Sequence, residues 1–312
     1  MTLFYRVVVL TLLLVSISAS SSAAWSRTGH MVIAGIAFRS LSPDLQLQYT
    51  ELLSHHPDYT SWKSDFDSLN VDIELGEYLF MRASYWPDVI RRQGSSEYDH
   101  PTWHYTNYPL TMAALTGADS TIGASLTPEN DVRFGFDESL RVLFDESATM
   151  ENRAAHLSWV IHLVGDVHQP MHAVASVSEM YPEGDRGGNL FFVRPTERSP
   201  GMNLHAYWDS LLGRSDDVRT ARNETTRILA LVSPDHKPAE SDNTRVNDWA
   251  LESRSYAIEY VYLRGELTAT DSENRIRAAI LPSDYAQNAK QVAEKRAVKS
   301  GFRLARVISE KG

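Results

Sequence analysis

Two segments of the chain repeat one spacing of the same two residue types. His162-Leu-Val-Gly-Asp166 and His205-Ala-Tyr-Trp-Asp209 each place an imidazole four residues ahead of a carboxylate. On an α-helix such side chains leave one face about one turn apart, so both can meet a single cation. The first pair shares its face with Ala155 and Trp159. Its polar groups therefore sit on a buried side, where a carboxylate has to be paired or hold a metal. A buried His–Asp hydrogen bond with nothing attached would account for one such pair equally well. Two pairs, each beside a tryptophan, favour the metal.

Other residues add to the set. Pro170 stops the first helix, which frees His172 to turn toward a different point. Tyr85-Trp86-Pro87-Asp88 sets a carboxylate beside a Trp-Pro turn, and Trp103-His104-Tyr105 sets an imidazole between aromatics. Trp25-Ser-Arg-Thr-Gly29-His30 supplies a further imidazole. The chain has no cysteine, which excludes disulfides, Cys-ligated zinc, iron–sulfur clusters and thiol nucleophiles. Nitrogen and oxygen donors remain, and imidazole with carboxylate suits Zn²⁺ among several metals. Four or five histidines with three aspartates exceed the needs of one tetrahedral site, so a cluster of ions is the better reading.

Taken in order, WxxxGH, WPD, WHY, HxxGDxHQPxH, GGN and NLHxxWD span Trp25 to Asp209. In this the chain resembles the trinuclear-zinc, single-strand-preferring nucleases and 3′-nucleotidases, which share a mainly helical fold with the zinc phospholipases C. The resemblance implies that Asp88, His104, His162 and Asp166 hold one zinc. It implies that the Trp25 α-amine and carbonyl, His30 and a bridging Asp166 hold a second, and that His172, His205 and Asp209 hold a third. Arg91 matches the arginine that steadies the transition-state phosphate, and Tyr105 the aromatic on which a nucleobase stacks. Asn107 stands where the fungal enzymes have a base-contacting Asp. The implied reaction is attack of a zinc-bridged hydroxide on phosphorus, with the third zinc stabilising the leaving 3′-oxygen and 5′-phosphorylated products released. Single-stranded DNA, RNA and 3′-nucleotides are the implied substrates, and the chain is expected to act as a monomer.

The nearest enzymatic rival is a zinc phospholipase C, which resembles HxxxE at the third site and has a longer gap from its N-terminal Trp to the first His. HxxxD and a gap of five favour the nuclease. A non-catalytic zinc-binding helical protein is the rival from another class, and it would need no Arg91.

These residues require helices to place them. Most of the chain reads as helix, giving a mainly α, single multi-helix domain over residues 25–312. Helices are expected over Gly29–Leu41, from the cap Ser42-Pro43-Asp44, from Thr127-Pro128-Glu129 to about Glu146, and over Asn152–Val167. The last is apolar on nearly every face and should be buried. Further helices are expected over Asn203–Leu212, Arg219–Val232, Asp248–Leu263 and Ser283–Ile308. Asn189–Val193, after two glycines, is the best strand. Long loops are expected near 92–103 and 173–202.

Residues 1–24 read as a signal peptide: Arg6, then the apolar run Val7–Val15, then Ser22-Ala23-Ala24 ahead of Trp25. Cleavage there would leave a free α-amine on Trp25, no membrane span, and a secreted or periplasmic protein. The net charge is −10, which argues against a basic nucleic-acid-coating protein but not against a nuclease whose metals supply positive charge. The stretch 286–312 carries seven Lys/Arg against two Glu. It reads as an amphipathic helix with a solvated basic face and Ala289, Val292, Ala293, Leu304 and Val307 turned to the core.

Overall fold

A computed structural model of the chain describes residues 25–94, 96–232, 241–267 and 277–311. The proposed signal peptide lies outside the described residues. Among them the architecture is mainly α, with twelve α-helices and five short strands.

The organising element is α8, Met150–His168. Thr149 caps it, its hydroxyl accepting from the Asn152 amide. From Leu157 to His168 every residue is buried, the expected fate of a helix apolar all round. It is enclosed by α7 (Val132–Leu143), α12 (Tyr285–Lys311), α11 (Val246–Tyr256), α4 (Leu75–Ala83), α2 (Pro43–Leu53) and α5 (Trp86–Gln93). The first helix, α1 (Arg27–Ser40), lies against α12, α4 and α10 (Val218–Leu229). Ser42 caps α2 by accepting from the Leu45 amide, with Pro43 in the first turn, where its missing N–H costs nothing.

Several expected elements shift. The helix read from Thr127 begins at Val132, because Asp131 is the residue that caps it, accepting from the Arg133 amide. Thr127 instead closes a turn onto the Ser125 hydroxyl. Trp86-Pro87-Asp88 is the first turn of α5 rather than a bend, since proline is tolerated there. Helices α3 (Tyr59–Asp67) and α4 had no counterpart in the sequence reading. Helix α11 ends as a π turn over Ala257–Val261. The strand expected at Asn189–Val193 forms at Phe192–Arg194, because Gly187 and Gly188 (φ +62° and +80°) still belong to the preceding turn. The basic face of α12 is not wholly solvated: Arg296 and Arg303 are 1% exposed and turn inward onto Glu252. The five apolar positions named for its core stripe are all buried.

Two small sheets splice the loops that carry site residues. Strands β1 (Tyr108–Leu110) and β2 (Val174–Ser176) pair in parallel, Tyr108 opposite Val174, joining the segment after His104 to the segment after His172. Strand β3 (Phe192–Arg194) pairs antiparallel with β4 (Met202–Asn203) and parallel with β5 (Ala279–Ile280). The β3–β4 pair delivers the chain to α9 (Leu204–Asp209), which Asn203 caps.

No helix among the described residues is long and apolar enough to cross a membrane.

Candidate metal centre

Helix α8 supplies His162 and Asp166 from one face, both fully buried. His162 Nε2 lies 3.0 Å from Asp166 Oδ2. Around this pair the other elements converge. The segment Trp25-Ser26 is strapped across the end of α8: the Trp25 indole donates to the Gly165 carbonyl (3.0 Å), and the Ser26 amide donates to the Asp209 carbonyl (3.0 Å). Ser26 also caps α1, so the first turn of α1 starts against α8 and brings His30 with it. The His30 ring stacks on His162 at 4.3 Å, with Nε2 3.4 Å from Asp166 Oδ1. A Cβ on Gly165 would come within 2.9 Å of His30 Nδ1, so only glycine lets this ring lie down on α8.

On the other side of Asp166, α5 presents Asp88 and the loop beyond it presents His104. His104 Nδ1 lies 3.2 Å from Asp166 Oδ2, 3.8 Å from Asp88 Oδ1 and 2.8 Å from His162 Nε2. A third group forms where α8 has ended. His172 Nε2 is 3.1 Å from His205 Nε2, and His205 Nε2 is 3.5 Å from Asp209 Oδ2. Three sets therefore each have donor atoms within 4.8 Å of one another: His30, His162 and Asp166; Asp88, His104 and His162; His172, His205 and Asp209.

The far side of three rings is fixed by backbone. His162 Nδ1 donates to the Ser84 carbonyl (2.8 Å), His172 Nδ1 to the His104 carbonyl (2.6 Å) and His205 Nδ1 to the Gly187 carbonyl (2.6 Å). A carbonyl can only accept, so each Nδ1 carries a proton and each Nε2 is turned inward. Gln169 donates to Asp209 Oδ1 (2.7 Å) and fixes that carboxylate as well.

The electrostatics call for cations. Burial opposes a charge on Asp166, yet the neighbouring imidazoles outweigh it and hold its carboxyl well below the usual range. Burial likewise opposes protonation of His162, but Asp166, Asp88 and the Ser84 carbonyl push it up to about 9. Burial pushes His205 down to about 3 and His172 to about 4, which leaves both neutral and able to ligate. Both nitrogens of His30, Nε2 of His104 and Oδ1 of Asp166 are buried with no hydrogen-bond partner. Of these, His30 Nε2 and Asp166 Oδ1 face each other at the centre, and buried unpartnered atoms of this kind fit metal ligands of zinc's preferred type.

The remaining expected residues lie around this centre. Arg91 is half-buried one turn after Asp88 on α5, and its charge helps to hold down the pKa of His205. Tyr105 and Asn107 are half-buried on the loop after His104. Their carbonyls accept from the Val132 and Leu126 amides, so segment 125–132 backs them. His168, inside the same sequence string, takes no part in the three sets. It faces the opposite side of α8, where Nδ1 bonds the Val164 carbonyl and Nε2 meets Arg303. The sequence reading assigned nothing to Ser84, Gln169 and Gly187. Ser84 and Gly187 act through backbone carbonyls, which no residue type advertises, and Gln169 and Gly187 both stood in quoted motifs without a role.

A family model described as S1/P1 nuclease matches residues 25–311. The chain is 26% identical to Nuclease S1 of Aspergillus oryzae over 307 residues, covering 92% of this chain and 91% of that protein. It is 24% identical to Endonuclease 4 of Arabidopsis thaliana over 324 residues, covering 98% and 93%. Endonuclease 1 of the same plant is 23% identical over 316 residues, covering 97% and 92%. With the match running through every element that builds the centre, the chain belongs to the S1/P1 nuclease family.

Proposed function

We propose that this nuclease hydrolyses phosphodiester bonds of single-stranded DNA and RNA, and the phosphomonoester of 3′-nucleotides, with three zinc ions per chain. The observation that carries the reading is the division of Asp166. Its Oδ1 faces His30 while its Oδ2 faces His104 and His162, so one carboxylate serves two neighbouring ligand sets. Asp88, His104, His162 and Asp166 would hold the first ion. His30, Asp166 and the α-amine and carbonyl of Trp25 would hold the second, and His172, His205 and Asp209 the third. Zinc at these positions would acidify a water and stabilise negative charge on phosphoryl and leaving oxygens.

The chain's own side chains do the rest. Arg91 places a fixed positive charge at the edge of the centre, where charge grows on the phosphoryl oxygens. Tyr105 offers a ring on which a base can stack, which requires a base free of its duplex neighbours and gives the single-strand preference. Asn107, beside it, presents an amide rather than a carboxylate to that base. The backbone-anchored imidazoles keep their Nε2 atoms aimed inward, so the site is organised before substrate arrives. The chain is proposed to work as a secreted or periplasmic monomer after removal of residues 1–24.

The test is elemental analysis of the purified mature protein together with a substrate panel: single-stranded DNA, duplex DNA, RNA, 3′-AMP and phosphatidylcholine, each with and without chelator. About three zinc ions, chelator-sensitive cleavage of single strands and 5′-phosphate products are expected. One zinc or none in active protein, or hydrolysis of the phospholipid in preference to nucleic acid, would overturn the proposal.

A further inference from the structure

The Gly187 carbonyl that orients His205 belongs to a turn, Gly184-Asp185-Arg186-Gly187-Gly188-Asn189, that has no regular secondary structure to hold it. What holds it is a buried carboxylate. Asp185 is fully buried; its Oδ1 accepts from the Ser176 amide (2.9 Å) and its Oδ2 from the Tyr262 hydroxyl (2.6 Å). The backbone adds a second clamp: the Asp185 amide donates to the Ser176 carbonyl (2.9 Å), and the Leu190 amide to the Asp185 carbonyl (3.0 Å). Strand β2 and Tyr262, the latter fully buried and far along the chain, thus both hold the turn at Asp185.

The backbone shows the cost of this arrangement. Among the described residues, the non-glycine positions with positive φ are Arg186 (+55°), Leu263 (+49°) and Arg264 (+53°). All three adjoin the Tyr262–Asp185 hydrogen bond, within two residues of one partner or the other. Strain of this kind persists only where the surroundings over-determine it, and it gathers at sites where position matters. The π turn at the end of α11 belongs to the same device. Its closing bond, from the Tyr262 amide to the Ala257 carbonyl (2.9 Å), sets where the tyrosine enters the core.

We propose that Asp185 and Tyr262 are positioning residues for His205: they fix the turn whose Gly187 carbonyl sets the tautomer and orientation of that ring, and through it the affinity of the third metal site. The proposal rests on the three-zinc reading above. It assigns a task to two residues that no ligand motif includes, one of them in the C-terminal part of the chain.

The experiment compares the mature protein with Tyr262→Phe, which removes one hydroxyl and keeps the ring, and with Asp185→Asn. Zinc retention is titrated against chelators of graded strength. The exchange rate of the His205 Nδ1 proton is followed by NMR in metal-free protein. Tyr49→Phe, which loses an equally buried hydroxyl bonded to the Ile308 carbonyl (2.7 Å), reports the general effect of such a deletion. Two ions held as in the parent and one held about 10–100-fold more weakly is the expected result, with faster exchange of the His205 proton and no such change in Tyr49→Phe. Parent-like zinc affinity and proton exchange in both variants would overturn the proposal. So would weakening of all three ions in parallel with a fall in melting temperature, since that is the mark of a purely structural role. If the parent itself bound no zinc, the metal reading would fail alone, and the proton exchange would still decide whether these residues hold His205.

Discussion

Asp166 is the residue with most resting on it, because its two oxygens serve different partners and neither can be spared. Asp166→Asn keeps the volume and removes the charge. Elemental analysis should find fewer than two zinc ions remaining, and kcat/KM on single-stranded DNA should fall by at least about 10²-fold, the scale of losing one organised electrostatic element. Full metal content with substantial activity would exclude the bridging role. Tyr105 is expected to bind rather than react. Tyr105→Ala should lose about 1–3 kcal/mol on single-stranded nucleic acid and much less on a phosphodiester that lacks a base; equal losses on both would remove the base from its account. At this scale the sequence was informative wherever a side chain does the ligating, because imidazole and carboxylate types announce themselves. It was silent about Ser84 and gave Gly187 a place in the GGN motif but no role, since the contribution of each is a carbonyl that any residue could offer.

A helix end buried in a protein must find donors for its last carbonyls. Helix α8 finds them on other elements: Ser300 for Val164, Trp25 for Gly165, Ser253 for Val167 and Arg296 for His168. The turn that carries Asp166 is therefore tied to the segment ahead of α1, to α11 and to α12 at once. Of these ties the N-terminal one is the most exposed to changes in processing. A version that keeps one Met ahead of Trp25 would retain the indole bond but replace the basic amine by a peptide nitrogen. It should fold, bind about one zinc fewer and cleave single strands far more slowly than protein beginning at Trp25. Equal zinc and equal rates would show that the amine is no ligand. Helix α8 was readable because apolar residues on every face leave burial as its only option. Helix α5 was not, since Trp86-Pro87 reads as a bend unless the proline is known to occupy a first turn. The inward turn of Arg296 and Arg303 was equally hidden, because a basic residue on an amphipathic helix reads as solvated until its partner carboxylate is found on another helix.

That partner is Glu252, and it matters to the whole molecule. Burial raises the cost of its charge, but Arg296, Lys299 and Arg303 outweigh this and hold its carboxyl down to about 2. A depressed carboxyl pKa contributes stability that is complete above the unfolded value, near 4.3, and is lost as pH falls toward about 2. Glu252→Gln should remove that part of the acid sensitivity. At neutral pH it should cost about 3–5 kcal/mol by leaving buried guanidinium groups without their counter-charge. Thermal melts of chelator-treated protein at pH 7 and between pH 5 and 3 check both, free of metal release. An unchanged melting temperature at pH 7 would show the network to be dispensable. Helical patterning along the chain gave the fold class, and the motifs of residues 25–209 gave the family resemblance. The remaining hundred residues, without motifs, turn out to hold the far side of α8 and, through Tyr262, the turn behind His205. Their role lies in hydrogen bonds across long sequence separations, which no local spacing encodes.

The strap formed by Trp25 and Ser26 has a further consequence for the cell that makes this protein. On the proposed function the protein cuts RNA yet is translated amid RNA, so its own synthesis would be a hazard. If the amine at Trp25 completes the second zinc set, no finished centre can exist until the peptide bond before it is cut. Leader removal would then be the arming step, and precursor held back from export should leave cytoplasmic RNA intact even when folded and supplied with zinc.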